Sequence, residues 1–157
     1  MRSIDISTKR NPDMIATVDD CDFEWANQWK WRSCGGYAVR AKKVGRGSKC
    51  VAMHREMLSV PKGMEVDHIN SYGLDNRREN LRICTTTENA KNRKINKNNT
   101  SGYKGVHWHK TANTWQVYLA CNKKRIHIGH FTCLIKAAKA YDEAARKYHG
   151  EFANTNF

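Results

Sequence analysis

The residues whose types could do chemistry gather in one stretch. Asp67 and His68 are adjacent, Asn80 lies twelve positions after His68, and Asn89 lies nine after Asn80. Hydrolysis of a phosphodiester needs an activated water, a cation on the scissile phosphate and relief of charge on the leaving oxygen. A histidine that is largely neutral near pH 7 can take the proton from water. A carboxylate with an oxygen-bearing partner can hold a hard divalent ion such as Mg²⁺ for the other two tasks. On composition alone the pair also reads as structural, and an Asp-His dipeptide is more often that than catalytic. Adjacent strand residues point to opposite faces, so a bend or a strand end is needed to bring Asp67 and His68 to one phosphate.

The elements that must position these residues read as strand, loop, strand, helix. Glu65-Val66-Asp67-His68-Ile69 is a short strand, Asn70 to Asn80 a polar loop, and Leu81-Arg82-Ile83-Cys84 a returning strand. Thr85-Thr86-Thr87-Glu88 resembles a helix N-cap with an acid in the first turn, so Asn89 to about Lys94 is expected to be helical. Arg93 then sits one turn after Asn89 and can reach a phosphate from the same cleft, with a solvated helix face as the equal alternative. His54, in Met53-His54-Arg55-Glu56, is a possible neighbour of the site, although a structural histidine is the better reading.

Before this stretch, residues 1 to about 60 hold strand-like runs at Met14–Val18, Tyr37–Arg40 and Cys50–His54, with glycine turns at Gly35-Gly36 and Gly45–Ser48. The aromatic segment Phe23–Trp31 reads as a turn of helix with core tryptophans. After it, Asn96–Gly102 is polar and lacks apolar side chains apart from its boundary; the linker is drawn at 98–100. Three strands are expected at Tyr103–His109, Trp115–Cys121 and Arg125–Phe131, with a turn at Asn122-Lys123-Lys124. A helix follows from Leu134 to about Tyr148, whose Ala137, Ala138, Tyr141, Ala144, Ala145 and Tyr148 recur at helical spacing and can lie against a sheet. In the third strand Arg125, His127 and Gly129 are expected on one face, and Ile126 and Ile128 on the other.

Composition narrows the partners. The chain has 157 residues and a formal net charge of +13, enough for one ordinary domain or two small ones. A surplus this large points to a polyanion, first of all nucleic acid. From Asn89 to Tyr141 there is no Asp or Glu, so the positive charge is concentrated as a track rather than spread. No run approaches the ~18 apolar residues of a spanning helix, and mean hydropathy is −0.80. The first residues carry no apolar signal core, so a cytoplasmic rather than secreted protein is expected, with its six cysteines reduced and serving as small apolar fillers. None forms a close pair, so structural zinc is not expected. A monomer is slightly favoured.

The strings VDHIN, LDNRRENLRI and TTTENAKNR resemble the HNH endonucleases of the phage and intron-homing type. The resemblance implies an α+β fold with a ββα-metal hairpin and helix. It implies that His68 is the general base, that Asp67 and Asn89 hold one divalent metal, Mg²⁺ or Mn²⁺, and that Asn80 braces the loop. Asn89 stands where other members carry histidine, which fits Mg²⁺ better than zinc. Residues 101–157, through SGYKGV, RIHIGHF and AAKAYDEAARKYHGEFANTNF, resemble the plant APETALA/ethylene-response-factor DNA-binding domain. That implies a three-stranded antiparallel sheet packed on one helix. Its DNA-contact positions would be Lys104, His107, His109, Tyr118, Arg125, His127 and Tyr141. Ala120 stands where that family has a contacting arginine, so the plant base preference is not expected.

The resulting expectation is a nuclease domain over 1–97, with its motif at 61–94, and a double-stranded-DNA-binding domain over 101–157. Together they make a site-directed, metal-dependent DNA endonuclease. Three alternatives are a DNA-binding regulator built on an inactive nuclease scaffold, a nuclease acting on structured RNA, and, more distantly, binding to membranes or heparin-like polyanions.

Overall fold

Short apolar runs broken by glycine turns build small sheets rather than one large sheet. A computed structural model of the chain describes residues 1–122 and 124–157; Lys123, expected in the turn before the last strand, lies outside the described residues. The architecture is mixed α+β, with several small antiparallel sheets and few helices. The chain divides into two compact units, residues 1–85 and 86–157. The division falls ahead of the polar segment 98–100 because the chain just before that segment is tied to the C-terminal tail. The Asn154 side-chain amide donates to the Asn92 carbonyl at 3.1 Å and to its side-chain oxygen at 2.9 Å.

In the first unit β1 (Arg2–Asp5) pairs antiparallel with β2 (Ile15–Val18), and α1 (Asp20–Asn27) follows. A meander of β3 (Arg32–Cys34), β4 (Tyr37–Val44) and β5 (Gly47–Ala52) leads into the short helix α2 (Met53–Met57). The hairpin β6 (Glu65–His68) and β7 (Leu81–Cys84) closes the unit. Ile4, Ile6, Ala16, Val18, Ala26, Trp31, Ala38, Met53 and Leu74 form the core. The run Cys50–His54 is not one strand. It turns helical at Met53 and thereby buries both Met53 and His54. Of the three tryptophans, Trp31 is core and Trp25 packs on it, with ring centroids 5.9 Å apart, whereas Trp29 is exposed under the Arg40 guanidinium.

The second unit contains α3 (Thr86–Lys91), then β8 (Val106–His109), β9 (Thr114–Cys121) and β10 (Lys124–Phe131) as one antiparallel sheet in the order β10-β9-β8, and α4 (Leu134–His149). The small-residue face of α4 lets the helix lie close on the sheet: Ala137, Ala138, Tyr141, Ala144 and Ala145 bury Val106, Val117 and Leu119. Asp142, 1% exposed, accepts from the backbone N–H of Asn156 at 2.8 Å and of Phe157 at 3.0 Å, which pins the tail beneath β8.

Gly105 precedes β8 with φ +74°, and a Cβ there would stand 2.1 Å from the Tyr141 ring and 2.6 Å from the Tyr118 carbonyl oxygen. Gly105→Ala is therefore expected to cost about 1–3 kcal/mol from positive φ and overpacking together, seen as a lowered melting transition of the second unit. An unchanged transition would mean that the close approach carries no weight.

The cysteines are not mainly core fillers. Cys84 is buried and Cys121 half-buried, but Cys21, Cys34, Cys50 and Cys133 are exposed, because strand ends and helix starts place them outside both cores. Among the described residues, no helix is long and apolar enough to cross a membrane.

Candidate active site and exposed sheet face

His68 is the last residue of β6 and Asp67 the one before it. Both are buried, at 5% and 4% exposure. Asp67 lies opposite Arg82 across the hairpin, and Arg82 donates to its Oδ2 from Nε at 2.8 Å and Nη2 at 2.5 Å. His68 is paired with Leu81. Its imidazole packs against His54 edge-on at 4.9 Å between centroids and against Tyr37 at 5.6 Å, while Tyr37 and His54 are 5.3 Å apart. Three rings from β4, α2 and β6 thus meet at one point. Burial lowers the pKa of His68, partly offset by the Asn76 side chain and the charges of Asp67 and Asp75. It is held in the neutral, proton-accepting form at neutral pH.

The loop 69–80 is fixed by a dense polar network rather than left as open chain. The Asn80 amide donates to the Asn70 side-chain oxygen at 3.0 Å and to the Asp75 carbonyl at 2.8 Å, and its oxygen accepts from the Asn70 backbone at 2.9 Å. The Asn80 carbonyl accepts from Ile69 at 2.9 Å, directly after His68. Arg77 grips Asp75 through two bonds of 2.8 Å, which holds the Asp75 carboxyl below its usual range. Leu74 and Asn76 exchange backbone bonds of 2.8 Å with Thr17 in β2. Arg78 clamps Asp22 of α1 with two bonds of 2.7 Å. The N-terminal section therefore works as a frame for the loop. Gly73 is part of this fit, because a Cβ there would meet the Gly36 carbonyl at 2.4 Å and the Tyr37 ring at 2.7 Å.

Asn89 is half-buried on α3 in the second unit. The helix ends at Lys91 rather than continuing to Lys94, so Arg93 follows it as exposed chain instead of sitting on the same helix face. The stop has a visible cause: Asn92 is buried with both its carbonyls engaged by Asn154.

On the three-stranded sheet, cross-strand register sorts the residues into two faces. His107 lies opposite Gln116 and His109 opposite Thr114; Ala120 lies opposite Arg125, Tyr118 opposite His127 and Gln116 opposite His130. These form the outward face. Gly129 is not among them. A bulge between His127 and Gly129 shifts the parity, pairing Gly129 with the buried Val117 and turning His130 outward. Alternation counted along the sequence cannot show such a shift and so hides His130; Gln116, two residues before Tyr118 in β9, follows from simple alternation. Arg125 stacks on Tyr118, with Cζ 3.8 Å from the ring centre. The His127 ring lies 5.1 Å from that of Tyr118 and 5.0 Å from that of His130. Thr114 and Gln116 hold His130 at 2.9 and 3.3 Å.

Two expected contact residues lie elsewhere. The Lys104 ammonium is turned to the carbonyls of Lys91 and Asn154, and burial lowers its pKa to about 8. Tyr141 is 4% exposed in the core beneath Gly105, and burial pushes its pKa up to about 12. Trp115 packs on the core, whereas Trp108 is 42% exposed and edge-on to it.

A buried strand-end histidine on a hairpin with a braced loop, in a chain whose second unit presents a sheet face of histidines, Tyr118 and Arg125, is the arrangement expected of a nuclease joined to a nucleic-acid-binding module. Comparison with known proteins agrees. Residues 58–91 match the HNH endonuclease family model, and residues 101–151 match the AP2 domain model. The chain is 35% identical over 94 residues to Protein 3.8 of Escherichia phage T7, covering 60% of this chain and 77% of that protein. It is 33% identical over 67 residues to the AP2-like ethylene-responsive transcription factor TOE2 of Arabidopsis thaliana, covering 43% of this chain but 14% of that protein. The chain belongs to the HNH endonuclease family and carries a C-terminal AP2 domain.

Proposed function

We propose that the chain is a site-directed, divalent-metal-dependent endonuclease acting on double-stranded DNA. The observation that carries the reading is the buried, neutral His68 at the end of β6, fixed by two neighbouring rings and by the Asn80–Asp75 loop network. In this reading β6, β7 and α3 form the ββα-metal motif, and His68 accepts the proton of the attacking water. Asn80 keeps the loop that follows His68 in place. Arg93, exposed and unconstrained by the helix, contacts a flanking phosphate.

Asp67 and Asn89 offer hard oxygen donors, one anionic and one neutral. That donor set suits Mg²⁺ or Mn²⁺, whose coordination is commonly completed by water and substrate phosphate, and it does not suit zinc. The ion would supply charge relief at the scissile phosphate. Among the described residues, no group of three or more His, Cys, Asp or Glu side chains is placed to hold a metal. Targeting falls to the outward sheet face, where His107, His109, Tyr118, Arg125 and His127 are joined by Gln116 and His130. Tyr141 packs beneath Gly105 at the edge of that face, and Lys104 ties the strand's approach to the carbonyls of Lys91 and Asn154.

A second reading, a DNA-binding regulator on a silent nuclease scaffold, is favoured by one observation: Arg82 occupies Oδ2 of Asp67. Incubation with supercoiled plasmid separates the two. Endonuclease action predicts relaxed or linear products in Mg²⁺ that excess chelator prevents and added Mg²⁺ restores. Binding with no product in either metal leaves the regulator, and full cutting in chelator removes the metal from the mechanism. Matched DNA and RNA duplexes decide the substrate.

A further inference from the structure

Neither family model reaches residues 1–57, yet this part of the chain has its own charge anomaly. Between Glu24 and Glu56 there is no acidic residue, while lysines and arginines recur throughout. An ordinary solvated surface mixes signs. The fold puts the middle of this window on one projecting element, the β4–β5 hairpin. From Ala41 to Cys50 every residue is exposed. Val44 pairs with Gly47 across a two-residue tip that Gly45 opens with φ +56°. Arg46 stands at the tip, with Lys43 and Lys49 on the arms.

Stability does not account for these residues. Lys42 and Lys49 are directly opposed across the ladder, an arrangement that works against the hairpin. Lys42 is compensated at the root, where Glu56 takes it at 2.8 Å together with Arg40 at 2.7 and 3.0 Å. Among the described residues, Lys43, Arg46 and Lys49 have no ion-pair partner. The root is also where the site begins: β4 starts at Tyr37, and the helix that β5 feeds carries His54, both packed on His68. At about 3.3 Å per residue, the eight-residue β4 carries the tip about 23 Å from Tyr37. Duplex DNA rises about 3.4 Å per base pair, so that distance spans about seven base pairs.

We propose that the β4–β5 hairpin is a second DNA-binding element, separate from the C-terminal sheet. It runs between the two phosphate strands on one side of the cleavage position, with Lys43 and Lys49, which the ladder puts on opposite faces, and Arg46 at the tip as its phosphate contacts. The partner is duplex DNA, and the contacts carry no base information. The proposal rests on the nuclease reading only for where the hairpin lies relative to the cut, because the binding itself is measured without cleavage.

The test compares the full chain with Lys43→Gln/Arg46→Gln/Lys49→Gln in chelator. Loss of three phosphate contacts is expected to flatten the slope of log affinity against log salt by about 2.7 and to weaken binding at about 0.1 M salt by tenfold or more. The hydroxyl-radical footprint should shorten at one end by about seven base pairs. Lys43→Arg/Arg46→Lys/Lys49→Arg should restore both. Should the triple variant fail to fold, Arg46→Gln alone, at a tip that packs on nothing, is expected to flatten the slope by about 0.9. An unchanged slope and footprint would overturn the proposal, as would a loss seen with duplex RNA and not with DNA. A wild type that never cuts in Mg²⁺ defeats the nuclease reading and leaves the slope readable.

Discussion

His68→Ala is expected to lower the cleavage rate by about 10²–10⁴-fold, the usual contribution of a positioned general base, while affinity for duplex DNA changes little. The asymmetry follows from what the side chain touches. Its ring packs against Tyr37 and His54. One loop contact, with the Asn76 side chain, runs through the imidazole; the others run through other atoms: the Asn80 amide to Asn70 and Asp75, Arg77 to Asp75, and the His68 backbone carbonyl, which accepts from Ser71 at 2.7 Å and survives the substitution. The loop geometry should therefore persist. In the proposed reading, binding is carried by cations on other surfaces. Single-turnover cleavage in Mg²⁺, with binding measured in chelator, reads the two quantities separately. A variant cutting at the wild-type rate would remove His68 from the chemistry. A variant that loses binding and cutting in parallel would make it a structural residue.

Much of this arrangement was legible in the sequence, and the reasons are local. β6, β7 and the three strands of the C-terminal sheet announce themselves by apolar runs bounded by turn residues, and α4 by small residues at helical spacing. Those signals need no tertiary contact to be expressed, and the observed bounds fall within a few residues of those expected. What stayed hidden depends on partners distant in the chain. β1 and β3 are short, and each is a strand only because a neighbour pairs with it. The bulge that turns His130 outward breaks the period of two, and only Gly129 beside it hints at the break. The end of α3 at Lys91 is set by Asn154, some sixty residues away. At the site, Asp67, His68 and Asn80 could be named from their spacing. Tyr37 and His54 could not be joined to them, because nothing in local pattern says that β4 and α2 bring their rings to the end of β6.

His54 leads to the other large expectation, an acid instability of the first unit. The ring is 7% exposed, and its Nδ1 is buried without a hydrogen-bond partner among the described residues. Burial first, then the charges of His68 and Arg55, lowers its pKa from 6.5 to about 3. In the unfolded chain the same ring titrates near 6.5. Between these two values the unfolded state binds a proton that the folded state refuses. The stability from the neutral ring is therefore complete above pH 6.5 and declines as pH falls toward 3, by about 1.4 kcal/mol per pH unit, or about 2 kcal/mol at pH 5. The carboxylates Asp22 and Asp75, held down by Arg78 and Arg77, and Glu56, in which Lys42 and Arg40 outweigh burial, also have lowered values. Their contribution is lost only around and below pH 4.5, so the interval from 6.5 to 4.5 belongs to histidine. His54→Gln should lose stability at pH 7 through poorer packing, yet fall less steeply between pH 6.5 and 4.5, by about one proton's worth of slope. His68, lowered in the same direction by burial, keeps part of the slope in the variant. Opening free energies from amide exchange in β1 and β2 measure this for the first unit alone. Equal slopes in wild type and variant would mean that His54 is charged in the folded state, and the ring cluster at His68 would then have to be held by something other than the packing of neutral rings.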